Sequence, residues 1–101
     1  MTNLLFVYGS LRKGRANHII LSQHSPAYLG VGYIKGTLHN PIKLKLKGDN
    51  NVEGELYLVP NQAWESLDRL EGNGFIYERT IVDVHLHDAI IQAWVYEYIW
   101  R

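Results

Sequence analysis

The sequence contains no cysteine, and this absence excludes disulfides, thiolate metal sites, iron–sulfur clusters and a cysteine nucleophile. No stretch approaches the roughly 18 consecutive apolar residues of a membrane helix. The apolar run at residues 4–8 follows no basic segment, so it does not resemble a signal peptide. Neither sign of charge is in excess, because ten Lys and Arg balance ten Asp and Glu. These absences predict a cytoplasmic protein with no membrane segment and no nucleic-acid partner.

The length of 101 residues and the 47% share of hydrophobic residues predict one domain over residues 1–101 with its own core. Charge is distributed unevenly along this domain. Residues 1–48 carry seven basic side chains and no acidic one, whereas residues 49–101 carry three basic and ten acidic side chains. Either the two halves attract each other within one fold, or a basic face binds an anionic partner.

Apolar and alternating runs predict a protein that consists mainly of strands. We expect about six strands, at residues 3–8, 27–38, 42–47, 52–59, 77–87 and 89–100, and two short helices, at residues 17–23 and 62–71. Because the helices do not alternate regularly with the strands, the predicted fold class is α+β with a curved or closed sheet.

Two local features refine this prediction. The sequence GDNN at residues 48–51 predicts a turn that joins residues 42–47 to residues 52–59 in a hairpin. Ile42, Leu44 and Leu46 would face inward and the lysines between them outward. Asn61 is a candidate N-cap of the second helix, and Gly72 fits the position after the end of that helix.

Helical spacing places Trp64, Leu67 and Glu71 on one face of the second helix. A carboxylate at the end of an apolar stripe loses hydration, which raises its pKa. A raised carboxyl pKa suits a general acid and base that works near neutral pH. The alternative is structural: Glu71 lies in the last turn and reaches water past Gly72.

The sequence YGSL at residues 8–11, hereafter the 8–11 loop, follows the first predicted strand. A glycine-serine turn at such a place can direct several backbone N–H groups into one concavity, which binds carboxylates or oxyanions. Arg12, Lys13 and Arg15 would add positive potential. The alternative is an ordinary surface turn with solvated basic side chains. A phosphate-binding GxxxxGK[ST] motif is absent, so nucleotide hydrolysis has no support.

The histidines and serines give weaker indications. His85 and His87 share one strand face, but without a nearby third ligand a solvent-facing strand is favoured over a metal site. Ser10 lacks the GxSxG context of a catalytic serine. We therefore expect no metal and no other cofactor.

The ordered set of motifs along the chain resembles the gamma-glutamylcyclotransferase-like proteins. The matching segments are residues 6–14 (FVYGSLRKG) with Asn17 and His18, 52–57 (VEGELY), 67–72 (LDRLEG) with 77–79 (YER), and 93–96 (AWVY). YGSL alone would be a weak match, whereas four segments in family order are fairly specific. The opening segment is most similar to the small gamma-glutamylamine cyclotransferase, or AIG2-like, branch.

This resemblance implies a small mixed β-barrel with flanking helices. It also implies a cofactor-independent lyase or acyltransferase that releases 5-oxoproline and a free amine from a small γ-glutamyl substrate. Glu71 would be the catalytic acid and base. The residues implied to bind substrate are Tyr8, Gly9, Ser10, Leu11 and Tyr96. Tyr77 and Arg79 match motif positions that we interpret first as structural.

The implied reaction needs one acid and base, because a γ-glutamyl group carries its own nucleophile. Glu71 would remove a proton from the α-ammonium group, and the amine would attack the γ-carbonyl carbon and close a five-membered lactam. Glu71 would then return the proton to the departing amine. The attack is intramolecular, so it gains from proximity without a covalent enzyme intermediate.

One segment departs from the family pattern. Residues 40–43 read NPIK, where many relatives have an aromatic residue, Pro and then Ala or Leu, so the identity of the leaving amine stays open. Two other functions also stay open. One is a non-catalytic module that binds a small metabolite or a peptide end in the 8–11 loop, and the other is an interaction protein that acts through its charge pattern. The sequence does not specify an oligomeric state.

Overall fold

A computed structural model describes residues 2–40 and 43–100 of the chain. In these two ranges the chain forms five strands and two helices. In chain order they are β1 (Leu4–Val7), α1 (His18–Ser22), β2 (Ala27–His39), β3 (Lys43–Leu58), α2 (Ala63–Glu71), β4 (Tyr77–Leu86) and β5 (Ala89–Tyr98). No helix within the described ranges is long and apolar enough to cross a bilayer.

The five strands close into a barrel in the order β1-β3-β2-β4-β5. Neighbouring strands are antiparallel, except that β5 pairs with β1 in parallel at Trp94 and Leu5 and so closes the ring. A closed sheet leaves no free edge for another chain to pair with. The predicted α+β class and small mixed barrel are confirmed.

Strand β3 differs from the prediction. Residues 43–58 form one continuous strand, so the predicted turn at residues 48–51 and its hairpin are wrong, and the barrel has five strands rather than about six. Both ends of β3 pair with β2, with Lys45 opposite Thr37 and Asn50 opposite Gly36. Residues 46–49 therefore bulge out of the ladder, and the Thr37 hydroxyl donates to the Lys47 carbonyl at 2.9 Å. A bulge accommodates polar turn-forming residues without reversing the chain.

The alternation predicted for the start of β3 holds. Leu44 is fully buried, whereas Lys45 and Lys47 are exposed. Ile42, which was predicted to face inward, lies outside the described residues. The ammonium groups of Lys43 and Lys45 lie over the Tyr98 ring, 5.1 Å and 5.8 Å from its centroid.

The core has two parts. One part contains buried residues from all five strands and fills the barrel: Phe6, Ile34, Leu44, Val52, Leu56, Val84, Leu86, Ala93 and Val95. The other part joins the two helices to the outer face of β1, β3 and β5: Leu5, Val7, Leu11, Leu21, Tyr57, Val59, Ala63, Leu67 and Tyr96. Helix α2 therefore lies against the barrel wall from which the 8–11 loop emerges.

Helix α2 ends as predicted but begins differently. Gly72 follows its last residue with φ 61° and ψ 51°, the left-handed conformation that glycine adopts at low cost. The N-cap is Gln62 rather than Asn61, so the predicted N-cap is wrong. Asn61 instead contributes to the first turn of α2 through its backbone carbonyl, which accepts a hydrogen bond from the Trp64 N–H at 3.3 Å.

Candidate active site

A cavity of about 40 Å³ opens between the end of β1, the end of α2 and strand β5. Its lining residues are Phe6, Val7, Tyr8, Gly9, Ser10, Leu11, Glu71, Tyr77 and Tyr96. One water requires about 10–15 Å³ by this measure, so the cavity can enclose the reacting end of a small molecule. All six residues predicted as site residues from the sequence lie on this one cavity.

Glu71 reaches the cavity because the apolar face of α2 packs on the barrel. Leu67, one turn earlier on that face, is fully buried, and Glu71 itself is half-buried. Within the described residues its carboxyl group has no hydrogen-bond or ion-pair partner. Burial raises the pKa of Glu71 to about 7. The carboxyl group therefore exchanges protons readily near neutral pH.

Two tyrosines of the wall are held in place by their hydroxyl groups. The Tyr8 hydroxyl donates to the Tyr96 carbonyl at 2.6 Å. The Tyr96 hydroxyl donates to the Asp68 carboxylate at 2.7 Å. Burial raises the pKa of both tyrosines well above the usual range, so both rings stay protonated and neutral.

Asp68 also binds Arg79, which links α2 to β4. The Arg79 Nε lies 3.2 Å from the Asp68 carboxylate. The guanidinium group lies over the rings of Trp64 and Trp94, 4.5 Å and 4.8 Å from their centroids. Such cation–π contacts stabilise a partly desolvated guanidinium group. Arg79 is thus structural, as interpreted from the sequence, and it supports Tyr96 through their shared partner Asp68.

Tyr77 lies on the cavity wall, although its motif position was interpreted first as structural. Burial and the nearby Glu71 raise the pKa of Tyr77 to about 12, so the phenol is neutral at physiological pH. Its ring packs edge-on against Tyr98, with 5.4 Å between the centroids. Its position two residues before Arg79 in the matched segment was the sequence signal that could have placed it in the site.

The 8–11 loop has the form of an anion-binding turn. Within the described part of the chain, the N–H groups of Gly9, Ser10 and Leu11 donate no hydrogen bond. The loop carbonyls, in contrast, are occupied: those of Gly9 and Ser10 accept bonds from the N–H groups of Arg12 and Asn17 at 3.0 Å and 2.9 Å. The free donors of the loop are therefore left for a ligand.

Side chains after the loop fix it further. The Asn17 amide donates to the Ser10 hydroxyl at 2.9 Å. The His18 Nδ1–H donates to the Leu11 carbonyl at 2.8 Å, which assigns the proton to Nδ1 because a carbonyl only accepts. The loop is thus tied to the start of α1 before any ligand binds.

Glu55 of β3 anchors the chain that leaves the loop. This buried carboxylate accepts bonds from the Lys13 N–H at 3.0 Å, the Tyr57 hydroxyl at 2.9 Å and the Arg12 Nε at 3.2 Å. Burial alone would raise the pKa of Glu55, but these hydrogen bonds and the Arg12 charge outweigh it and hold the pKa below its ordinary value. Arg12 therefore joins the basic and acidic halves of the chain within one fold.

Substituting Glu55 with alanine should lower the free energy of unfolding by about 3 kcal/mol, since it leaves the Tyr57 hydroxyl and the Lys13 N–H without an acceptor and removes one of the two carboxylates that pair with Arg12. Glu53→Ala is the matched control, because the exposed Glu53 carboxylate contacts the same Arg12 at 3.3 Å. That variant should lose under about 1 kcal/mol. Urea unfolding at neutral pH compares the two, and equal losses would contradict the anchoring role of Glu55. Below the ordinary pKa of Glu the wild type should lose its advantage, because acid protonates a group whose folded-state pKa is depressed.

The histidines and carboxylates of the described residues form no cluster of metal ligands. Within residues 2–40 and 43–100, no three His, Asp or Glu side chains lie close enough together to hold an ion. His85 stacks on the Tyr33 ring, with 4.6 Å between centroids and 3° between planes. His87 lies at the turn after β4, where its φ is 53°.

The segment at residues 40–43 was predicted to depart from the family pattern. It includes Pro41 and Ile42, which lie outside the described residues.

Comparisons with known proteins agree with this fold and these motifs. The family model described as gamma-glutamyl cyclotransferase, AIG2-like, matches residues 5–100. The human protein named gamma-glutamylaminecyclotransferase is 35% identical over 95 residues, which cover 82% of this chain and 62% of the human protein. The chain thus spans about three-fifths of the length of this relative.

Solved structures show the same barrel. An AIG2-like protein from Mus musculus superimposes with a TM-score of 0.83 at 30% identity, covering 98% of this chain and 78% of the mouse chain. YkqA from Bacillus subtilis gives a TM-score of 0.83 at 27% identity, covering 99% of this chain and 37% of that protein. From the matched residues, the closed barrel and these likenesses, the chain belongs to the gamma-glutamyl cyclotransferase, AIG2-like family.

Proposed function

We propose that this protein is a γ-glutamyl cyclotransferase, which converts a γ-glutamyl amine or amino acid into 5-oxoproline and a free amine. One observation carries the proposal: Glu71, whose pKa burial raises to about 7, lies on the same small cavity as the free N–H groups of the 8–11 loop. A base and a set of anion-binding donors are what this cyclisation requires. The family membership of the chain agrees with this chemistry.

The reaction proceeds in two steps with Glu71 as the proton carrier. The Glu71 carboxylate takes a proton from the α-ammonium group of the substrate, and the freed amine attacks the γ-carbonyl carbon. The new C–N bond closes the five-membered ring and places negative charge on the carbonyl oxygen. The bond to the leaving nitrogen then breaks as Glu71 returns its proton to that nitrogen. The ring nitrogen gives up its second proton to solvent, which leaves a neutral lactam, and the released amine takes up a proton from solvent. All atoms of substrate appear in the two products, and Glu71 ends in its starting form.

The 8–11 loop binds the γ-glutamyl group in this proposal. The N–H groups of Gly9, Ser10 and Leu11 are the available donors for the substrate carboxylate and for the developing oxyanion. Preorganised donors stabilise such charge without having to reorient during the reaction. The neutral rings of Tyr8 and Tyr96 form the wall and restrict water access to Glu71.

The test is 5-oxoproline release, measured by mass spectrometry on γ-glutamyl amino acids, γ-glutamyl-ε-lysine, other γ-glutamyl amines and glutathione. We expect the wild-type protein to release 5-oxoproline from at least one of these compounds. A folded protein that binds 5-oxoproline but turns over nothing in the panel would instead support a non-catalytic binding module. Salt-sensitive association with a macromolecule, without either result, would favour the interaction protein.

A further inference from the structure

A second concavity adjoins the cavity at the 8–11 loop. This groove has a volume of about 630 Å³ and shares Tyr8, Gly9 and Ser10 with the cavity. Its remaining walls come from Arg12, Arg15 and Ala16, from Leu38 and from residues 50–53 of β3. The groove is much larger than the cavity. A substrate whose reacting end lies in the cavity can extend over the shared loop into this groove.

One cation of the groove lacks a carboxylate. Arg12 already contacts Glu53 at 3.3 Å and Glu55 at 3.2 Å. The Asn51 amide oxygen accepts a hydrogen bond from Lys35 at 2.7 Å. The guanidinium group of Arg15, in contrast, makes no hydrogen bond or ion pair within the described residues.

The backbone of Arg15 is fixed relative to the 8–11 loop. The Arg15 N–H donates to the Arg12 carbonyl at 2.9 Å, and the Arg15 carbonyl accepts a bond from the His18 N–H at 3.2 Å. Asn17, between them, donates its N–H to the Ser10 carbonyl at 2.9 Å. This turn holds the start of the Arg15 side chain beside the loop, so no backbone freedom has to be lost when its guanidinium group binds an anion.

We propose that this groove is the leaving-group subsite and that Arg15 selects substrates whose leaving amine carries a carboxylate. The inference depends on the proposed cyclotransferase function and adds the class of leaving group. A guanidinium group binds a carboxylate through two parallel N–H···O bonds. The groove lining carries two arginines and one glutamate, so its net charge of +1 suits an anion. The γ-glutamyl part is held in the cavity, and the leaving part crosses Gly9 and Ser10 to reach Arg15.

The experiment uses substrate pairs that differ only in this carboxylate. One pair is γ-glutamylalanine and γ-glutamylethylamine, and the other is γ-glutamyl-ε-lysine and γ-glutamylcadaverine. For at least one pair, the wild type should prefer the carboxylate-bearing member by about tenfold in kcat/KM. Arg15→Ala should reduce this ratio to about one. Raising the salt concentration should also lower the wild-type ratio, because Arg15 is exposed.

Lys45→Ala is the matched control. It removes one positive charge from β3 near Tyr98, outside the groove and beyond the Tyr77 side of the cavity. This variant should keep the wild-type ratio. A ratio that falls in Lys45→Ala but not in Arg15→Ala would place the carboxylate on the opposite side and overturn the inference.

The remaining outcomes separate the two proposals. Equal turnover of both members of each pair by the wild type overturns the leaving-group subsite and leaves the cyclotransferase function standing. An equal loss for both members in Arg15→Ala also overturns it, because Arg15 would then bind a part that the two substrates share. Turnover of no substrate by the folded wild type overturns the cyclotransferase function, and this inference with it.

Discussion

Glu71→Gln should lower kcat for 5-oxoproline release by about a thousandfold while the protein stays folded, since general acid–base catalysis contributes about 10²–10⁴-fold. Glutamine has nearly the same shape as glutamate, so the wall of the cavity is preserved. It can neither take the ammonium proton nor return a proton to the leaving amine. Mass spectrometry of 5-oxoproline gives kcat, and circular dichroism gives the folded state. A variant with full turnover would remove Glu71 from the mechanism.

The same variant should be more stable than the wild type in alkaline solution. The folded-state pKa of Glu71 is raised to about 7, above its ordinary value of about 4.3. Its contribution to stability is therefore fully present below the unfolded-state pKa and is lost as pH rises through about 7. Glutamine does not ionise and avoids this loss. We expect an advantage of about 2 kcal/mol above about pH 8, after allowing for the partial exposure of the group.

The pH dependence of catalysis should follow the same group. In the free enzyme, Glu71 must be ionised to accept the ammonium proton. We therefore expect kcat/KM to rise with pH and to reach half of its plateau near pH 7. Tyr8, Tyr77 and Tyr96 stay neutral in this range, because burial raises the pKa of each above its ordinary value. A rise centred near pH 4.5 would indicate that Glu71 is solvated and would contradict its desolvated position.

The sequence predicted the parts of this site that depend on local pattern. The spacing of Trp64, Leu67 and Glu71 placed a carboxylate at the end of the buried face of α2, and Gly72 marked the end of that helix. Helical periodicity and capping act over a few residues, so the sequence of this one segment is enough to predict the face on which Glu71 lies and the end of the helix. The fold class followed from alternation in the strands for the same reason.

Long-range contacts could not be predicted in this way. The Glu55 carboxylate and Arg12 are 43 residues apart, and Asp68 and Tyr96 are 28 residues apart. No periodicity links such residues, because strand pairing and the packing of α2 on the barrel bring them together. The turn at residues 48–51 was wrongly predicted for a related reason. Its composition favours a turn, but pairing of both ends of β3 with the long strand β2 decides the outcome.

Gly54→Ala should destabilise the protein by about 3 kcal/mol, the upper part of the usual cost of overpacking a core. A methyl group on Gly54 would collide with the Val7 carbonyl and would lie 2.5 Å from Cζ of the buried Phe6 ring. The ring fills the barrel and the carbonyl belongs to the backbone, so neither can move without shifting β1. Urea unfolding measures the loss, and a wild-type midpoint would contradict this packing.

Gly9→Ala is the informative counterpart, because it adds the same methyl group at a position where there is space for it. A methyl group on Gly9 meets nothing within 4 Å, and Gly9 has no positive φ. The stability should therefore change by less than about 0.5 kcal/mol. The methyl group would, however, stand beside the cavity and groove at the loop that both share. We expect KM to rise by about tenfold or more, the cost of losing one well-placed donor contact. Loss of stability at Gly54 and loss of substrate affinity at Gly9 would separate the residue that packs against β1 from the residue that faces the substrate.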